Sequence, residues 1–150
     1  MGLVLTIDEI HTHLTELGLM SPELEETLVY AQVTPSAGSL FLFGAYAQML
    51  KGAYFVMGLE KERIVLIPLN KISGKIDKKL EPNFIPHEEL DGVFIKRGKI
   101  QHSVTFLGED QELPLKLGNI VMGMKWHKEH LQHTLGELEK LQKVVGDGAV

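Results

Sequence analysis

Apolar residues recur with two different periods along the chain, and the changes of period predict the order of its secondary-structure elements. Before residue 35 they return every three or four positions, as expected for helices with one buried face. From about residue 39 to residue 117, short apolar runs alternate with turns, which predicts antiparallel strands. The helical period returns from about Asn119 to Val145. This order predicts a mostly β fold with two short helices before the strands and one long helix after them.

The two predicted N-terminal helices have clear start signals. Thr6 and Glu9 form a capping box at the start of the first helix, and Gly18 closes it. The second helix has Ser21 as its N-cap and Pro22 at its first position. Its apolar positions predict that it continues until about residue 34.

Six strands are predicted in the middle of the chain because the runs there are rich in aromatic and β-branched residues. A seventh strand is expected within residues 71–78, inside a polar stretch that otherwise reads as a loop. The six strands are predicted at residues 39–48, 53–59, 63–69, 91–96, 100–107 and 111–117.

The last three predicted strands alternate between apolar and polar residues, so their faces can be assigned. His102 has the parity of the inward-facing set, and we interpret it as a buried, hydrogen-bonded histidine; the alternative is a residue that lines a ligand cleft. Pro114 falls on the outer face and cannot donate to a β-ladder, which predicts a sheet edge or a bulge. The inward-facing set comprises Val93, Ile95, Ile100, Val104, Phe106, Leu113, Leu115 and Leu117.

The C-terminal helix carries one apolar stripe, which predicts a buried face. A helix that plugs one open end of a small antiparallel barrel accounts for this stripe without a partner protein. Trp126 lies in the first turn beside the stripe, and we expect its ring to pack against a strand edge or a loop. The stripe comprises Met124, Leu131, Leu135, Leu138 and Val145, with Leu141 at its edge.

Composition is that of a globular protein. The chain is 44% apolar and 23% charged, and 150 residues suffice for one hydrophobic core. The absence of cysteine excludes disulfides, thiolate metal sites and thiol nucleophiles. No apolar run approaches the roughly 20 residues of a membrane-spanning helix, and the start of the chain lacks the pattern of a secretory signal. We therefore expect a cytoplasmic protein.

Charge is distributed unevenly along the chain. The first 50 residues contain six acidic residues and no Lys or Arg, whereas the remainder contains fifteen basic and fourteen acidic residues. Two short helices resemble a DNA-binding helix-turn-helix, but nucleic-acid binding depends on Lys and Arg contacts to phosphate. The second helix offers Glu23, Glu25 and Glu26 instead. These acids argue against nucleic acid as a partner.

Three stretches, at residues 54–68, 85–100 and 104–117, resemble bacterial pleckstrin-homology-like (PH-like) domains when they are taken together with the final helix. Glu60 departs from the family pattern, which often has Thr at this position. The positions that carry the resemblance are Leu59, Arg63, Ile64, Ile85, Pro86 and Leu90.

The resemblance implies a strongly bent antiparallel β-barrel of about seven strands, capped by the C-terminal helix. We accordingly divide the chain into an acidic helical extension, residues 1–36, and a PH-like barrel with its cap helix, residues 37–150. Domains of this type generally lack catalysis and bind lipids, peptides or proteins through loops or a strand–helix groove. The resemblance therefore implies a non-catalytic interaction module with a protein or peptide partner.

A lysine-rich loop is the candidate binding site. In phosphoinositide-binding members of the family the loop between the first two strands is basic, whereas here it offers only Lys51. The richest cationic segment contains Lys71, Lys75, Lys78 and Lys79. An anionic membrane surface is therefore an alternative partner, and a solvated loop is the simpler interpretation.

Histidine and enzyme motifs predict no metal, cofactor or catalytic site. His127, His130 and His133 recur every three residues, but on a helix the first and last lie about 120° apart and cannot converge on one ion. No P-loop, nucleophile elbow or glycine-rich nucleotide fingerprint occurs. A small enzyme or small-molecule binder with a cleft near His102 is the remaining alternative, and association into homo-oligomers stays open.

Overall fold

A computed structural model of the chain describes residues 4–33, 54–70, 72–108 and 111–146. Two helices precede a set of strands, and a long helix follows them, as the hydrophobic periods predict. In chain order the elements are α1 (Ile7–Glu16), α2 (Pro22–Thr27), β1 (Val29–Val33), β2 (Tyr54–Leu59), β3 (Arg63–Pro68), β4 (Asn83–Pro86), a 3-10 helix (His87–Glu89), β5 (Gly92–Lys96), β6 (Gln101–Gly108), β7 (Gln111–Gly118) and α3 (Lys125–Val145).

The strands form one seven-stranded antiparallel sheet in the order β4-β3-β2-β1-β7-β6-β5. Strands that lie side by side in the sheet are consecutive in the chain except at the centre, where β1 lies between β2 and β7. The register places Val29 opposite Met57 on one side and Gln32 opposite Lys116 on the other. Among the described residues no pair joins β4 to β5. β1 therefore links two meanders into a single sheet.

The prediction that α2 continues to about residue 34 is wrong. The helix ends at Thr27, and Val29–Val33 form the central strand instead. Val29, Ala31 and Val33 are buried while the residues between them are half-buried, which is the period of a strand. Pairing with residues far along the chain outweighs the local helical pattern. The strand predicted at residues 39–48 lies outside the described residues, as does the boundary at residues 36 and 37.

The seventh strand expected within residues 71–78 is also wrong. The described residues of that range, 72–78, contain one isolated bridge, between Ile76 and Leu69. The side-chain oxygen of Asn70 accepts the N–H groups of Ile72 and Ser73, and Gly74 has a left-handed φ of 73°. These features turn the chain tightly and prevent an extended segment. The strand that completes the sheet is β4, at Asn83–Pro86.

The predicted faces of β6 and β7 are confirmed with one exception. Ile100 is 84% exposed because it lies in the turn before β6, which begins at Gln101. Pro114 of β7 pairs opposite Thr105 of β6; β7 is an interior strand and its register with β6 is unbroken, so the prediction of a sheet edge or a bulge at Pro114 is wrong. The confirmed inward-facing residues of the two strands are Val104, Phe106, Leu113, Leu115 and Leu117.

Two hydrophobic cores lie on opposite faces of the sheet. The first contains the inward residues of β1 to β7 and the centre of the α3 stripe. The second lies on the other face of β2 and β3, where Val56, Val65 and Ile67 pack against α1 and α2. Trp126 belongs to this second core, and its indole N–H donates to the carbonyl of Leu5, 3.2 Å away. The N-terminal helices therefore cover one face of the sheet.

Polar side chains of α3 bind the start of β1. The Tyr30 N–H donates to Nδ1 of His127 at 2.9 Å, so the other ring nitrogen carries the proton and donates to the Gly118 carbonyl at 2.6 Å. Nδ1 of His130 donates to the Leu28 carbonyl at 2.8 Å. Because β1 pairs with β7 only through Gln32 and Val33 among the described residues, α3 holds the two meanders together at the seam between β1 and β7.

Candidate binding groove

An open groove with a volume of about 1140 Å³ lies at the end of the sheet where β2 turns into β3. Four elements surround it: α2, the β2–β3 turn, the 3-10 helix and the C-terminal half of α3. It lies beside α3. We refer to this feature as the groove.

Thr27 joins three of the surrounding segments at one point. Its hydroxyl accepts the Leu59 N–H at 2.8 Å and lies 2.9 Å from the Glu23 carbonyl. Its carbonyl accepts the hydroxyl of Thr134 at 2.9 Å. All of these atoms except those of Glu23 belong to buried residues, so α2, the end of β2 and α3 are fixed relative to one another.

The β2–β3 turn is closed by its own charged residues. The Glu60 N–H donates to the Arg63 carbonyl at 2.9 Å, and Nε of Arg63 lies 2.5 Å from the Glu60 carboxylate. The Arg63 guanidinium also stacks 4.1 Å from the centre of the Phe84 ring. The His87 N–H donates to the Glu62 carbonyl at 2.8 Å, which ties the 3-10 helix to the turn. These contacts give the groove a preformed rim.

The floor of the groove is apolar. Leu59 and Leu90 are buried and belong to the first core, and Leu141 and Val145 of α3 pack partly against them. Val144, in the last turn of α3, is 82% exposed. An apolar strip therefore runs from the end of β2 to the end of α3 and is open to solvent at Val144.

The rim is acidic. Six carboxylates stand against three cations, a balance of −3 when the two histidines are neutral. His133 lies 3.6 Å from Glu26 and 3.7 Å from Glu137, so it becomes a partner of both when it is protonated. The carboxylates belong to Glu23, Glu26, Glu60, Glu62, Glu88 and Glu137, and the cations to Lys61, Arg63 and Lys140.

His87 is the more enclosed of the two groove histidines. Burial lowers its pKa, while a hydrogen bond with the Lys61 main chain and the charge of Glu62 act in the opposite direction. Its Nε2 atom is buried and has no hydrogen-bond partner in the described part of the chain. His87 is therefore held neutral at and above neutral pH.

The predicted lysine site is not part of the groove. Lys71 lies outside the described residues. Lys75 is 3.0 Å from the Glu9 carboxylate and 2.9 Å from the Val4 carbonyl, so it anchors the start of α1, whereas Lys78 and Lys79 are exposed. The loop leaves β3 after Pro68 and the groove contains Arg63, which puts them at opposite ends of a strand about 17 Å long.

His102 acts as a junction between two loops. It is buried, its Nδ1 accepts the Gly98 N–H at 3.2 Å, and its Nε2 meets the side-chain oxygen of Asn119. The Asn119 amide also donates to the Lys99 carbonyl. Both ring nitrogens are therefore engaged, which confirms the interpretation of His102 as a buried, hydrogen-bonded residue. It does not line the groove.

In the part of the chain that the structure describes, no three His, Asp or Glu side chains are grouped so that they could hold a metal ion. His127 and His130 instead bind main-chain groups at the seam. The helices described include none that is both long and apolar enough to cross a membrane.

Sequence reasoning missed the groove because its walls come from distant parts of the chain. At the level of sequence the acids of α2 argue against nucleic acid as a partner, and those at residues 60–62 and 87–89 lie between predicted strands. One signal is present: acidic residues in α2, at residues 60–62 and at residues 87–89 each border an apolar run. The pairing of β2, β3 and β4 brings the second and third of these segments to one end of the sheet, and the contacts of Thr27 place α2 beside them.

In comparisons with known proteins, no protein-family model matches the chain, and no curated protein matches it either.

Proposed function

We propose that the chain is a non-catalytic interaction module of the PH-like type, and that its groove binds a segment of a partner protein. Seven antiparallel strands followed by one helix agree with the architecture that the resemblance implies. The observation that carries the proposal is the solvent-open apolar strip between the end of β2 and the last turns of α3, framed by a preformed charged rim.

A protein segment suits this groove better than a small ligand. A volume of about 1140 Å³ exceeds the roughly 300–1,000 Å³ of usual small-molecule pockets, and the site is only partly enclosed. Apolar anchors in a rigid groove are the usual way in which a short segment of a partner is held. The acidic rim also disfavours phosphate-bearing ligands.

The two alternatives have weaker support. At the lysine loop, Lys75 is engaged by Glu9, and the exposed Lys78 and Lys79 would each contribute only about 1 kcal/mol to attraction by an anionic membrane. At His102 both ring nitrogens already have partners, which leaves neither free for acid–base chemistry without rearrangement.

A random 12-residue peptide library displayed on phage tests the proposal. The library is selected on the intact protein and each enriched peptide is then measured against Val144→Asp, which places a charge on the exposed end of the apolar strip. We expect enriched peptides to bind Val144→Asp at least tenfold more weakly than the unaltered protein.

Ile72→Asp provides the matched control, because Ile72 is equally apolar, is 97% exposed and lies on the loop between β3 and β4. Peptide binding to this variant should be unchanged. The proposal is wrong if no peptide is enriched, or if the enriched peptides lose affinity for Ile72→Asp and not for Val144→Asp.

A further inference from the structure

We infer that the partner segment is cationic, with an apolar anchor residue flanked by lysine or arginine. This inference rests on the proposed function, since it assigns the chemistry of the segment that the groove binds. The observation that carries it is that most basic residues of the rim already have an ion-pair partner within the protein, whereas several of its carboxylates have none.

Three carboxylates of the rim are unpaired. Within the described part of the chain, no hydrogen bond or ion pair reaches the carboxylates of Glu23, Glu62 and Glu88, which are all exposed. They come from α2, the β2–β3 turn and the 3-10 helix. Negative charge therefore faces the apolar floor from three sides.

Two of the three rim cations already have partners. Arg63 is bound by Glu60 and covered on one face by Phe84, and Lys140 lies 3.6 Å from Glu137. Of the three rim cations, Lys61 is the one that has no ion pair with any described residue. A ligand that enters the groove thus meets three unpaired carboxylates, a fourth at Glu26 that is paired only when His133 is protonated, and one unpaired ammonium group.

The arrangement of the rim selects the charge of the residues that flank the apolar anchor of the ligand. An apolar side chain over Leu141 and Val144 would place its neighbours in the segment toward the surrounding carboxylates. Lysine and arginine at these neighbouring positions gain opposite charges in a partly desolvated site, where charge complementarity raises both specificity and association rate. Aspartate, glutamate or phosphate at the same positions would be repelled.

Three labelled peptides that differ only in charge test the inference: GKKLLKKG, GQQLLQQG and GEELLEEG. Fluorescence anisotropy is measured with the intact protein at low and at physiological salt. We expect the lysine peptide to bind at least tenfold more tightly than the glutamine peptide, with a preference that shrinks as salt rises. The glutamate peptide should bind most weakly.

A pair of double variants locates the effect. Glu62→Gln with Glu88→Gln removes two unpaired rim charges, and we expect it to weaken the lysine peptide about tenfold while it leaves the glutamine peptide unchanged. Glu16→Gln with Glu81→Gln removes the same net charge from exposed residues outside the groove and should have little effect. In addition, peptides enriched from the library should carry Lys or Arg beside an apolar residue.

Several results would overturn the inference. Equal binding of the lysine and glutamine peptides, with both weakened by Val144→Asp, would contradict it while the proposed function stands. An equal response to the two double variants would mean that only net charge matters. Self-association of the free protein that Lys78→Glu with Lys79→Glu abolishes would identify a second copy of the chain as the occupant.

Discussion

At the scale of single residues, His127 shows how a titratable side chain serves the architecture of this protein. It is fully buried, and its two ring nitrogens bind a main-chain N–H of β1 and a main-chain carbonyl of β7. Burial is the main cause that lowers its pKa; the bond to Gly118 opposes this shift, and the charges of His130 and His102 add to it. Protonation of Nδ1 would remove the acceptor that Tyr30 requires.

Stability should consequently fall in mild acid. The unfolded chain binds a proton at His127 below a pKa of about 6.5, whereas the folded chain binds it only at lower pH. The free energy of unfolding should therefore be unaffected by His127 above about pH 7.5 and decrease as pH falls below about 6.5. His13 and His87 act in the same direction, because burial also lowers the pKa of each.

Urea unfolding followed by Trp126 fluorescence at pH 5.5, 6.5 and 7.5 measures this dependence. His127→Gln should be less stable at every pH and should reduce the dependence on pH. The exposed His133 offers a control, since His133→Gln should retain the pH dependence of the unaltered protein. An unchanged pH dependence in His127→Gln would show that His127 is not its source.

At the scale of elements, the contact between α2 and β2 depends on the absence of a side chain. A Cβ atom at Gly58 would overlap Cδ1 of Leu24 and approach Cδ2 of Leu28 to 3.1 Å. Glycine is unfavourable inside a strand, but here it lets the helix approach closely enough to fill the second core. The position of α2, and with it one wall of the groove, follows from this residue.

Gly58→Ala should lower the free energy of unfolding by about 1–3 kcal/mol, because overpacked cores are strained. Combination with Leu24→Ala should be less destabilising than the sum of the two single changes, since the smaller side chain leaves room for the new methyl group. Denaturant unfolding of the four proteins in this cycle measures the coupling. Gly136→Ala in α3, where a Cβ would meet no atom within 4 Å, should be neutral or stabilising by up to about 1 kcal/mol.

The elements also show how far local sequence determines this fold. The capping box of α1 and the alternation of β6 and β7 are local patterns, and the structure confirms both. β1 was misassigned because Leu28 and Ala31 fit a helical face equally well, and only pairing with β2 and β7 decides the matter. The walls of the groove come from α2, the β2–β3 turn, the 3-10 helix and α3, so local patterns indicate its acidic residues but not their arrangement around one groove.

The sequences of β2 and β3 carry a further signal. β2 and β3 are apolar at almost every position, whereas β6 and β7 alternate. Continuous apolar strands are expected where both faces of a sheet are covered. The runs of β2 and β3 therefore predict the second core, beneath the N-terminal helices.

At the scale of the whole molecule, the sheet is two meanders joined through β1. In the sheet, β2, β3 and β4 lie on one side of β1, and β7, β6 and β5 lie on the other. The first core spans both meanders, and α3 binds across the seam between them. The residues before position 36 therefore supply the strand on which the union of the two halves depends.

Removal of residues 1–35 should abolish cooperative unfolding, because it deletes β1 and separates β2 from β7. Removal of residues 1–20 should retain the strands but expose Val56, Val65 and Ile67, and so produce binding of a hydrophobic dye. Urea unfolding and dye fluorescence of the two shortened chains distinguish these outcomes. The central role of β1 would be contradicted if the chain without residues 1–35 unfolded cooperatively and its free energy of unfolding depended on urea concentration as steeply as that of the intact protein.

The position of β1 also has a consequence for synthesis on the ribosome. Among the described strands β1 is translated before the others, whereas its partner β7 is translated after them, and the helix that seals the seam follows β7. The nascent chain can assemble β1 to β4 as soon as they emerge, but one edge of β1 must then wait for the rest of the protein. An unpaired edge is a site at which strands of other chains can add. Translation thus leaves the nascent chain open to misassembly at its central strand until β7 has been made.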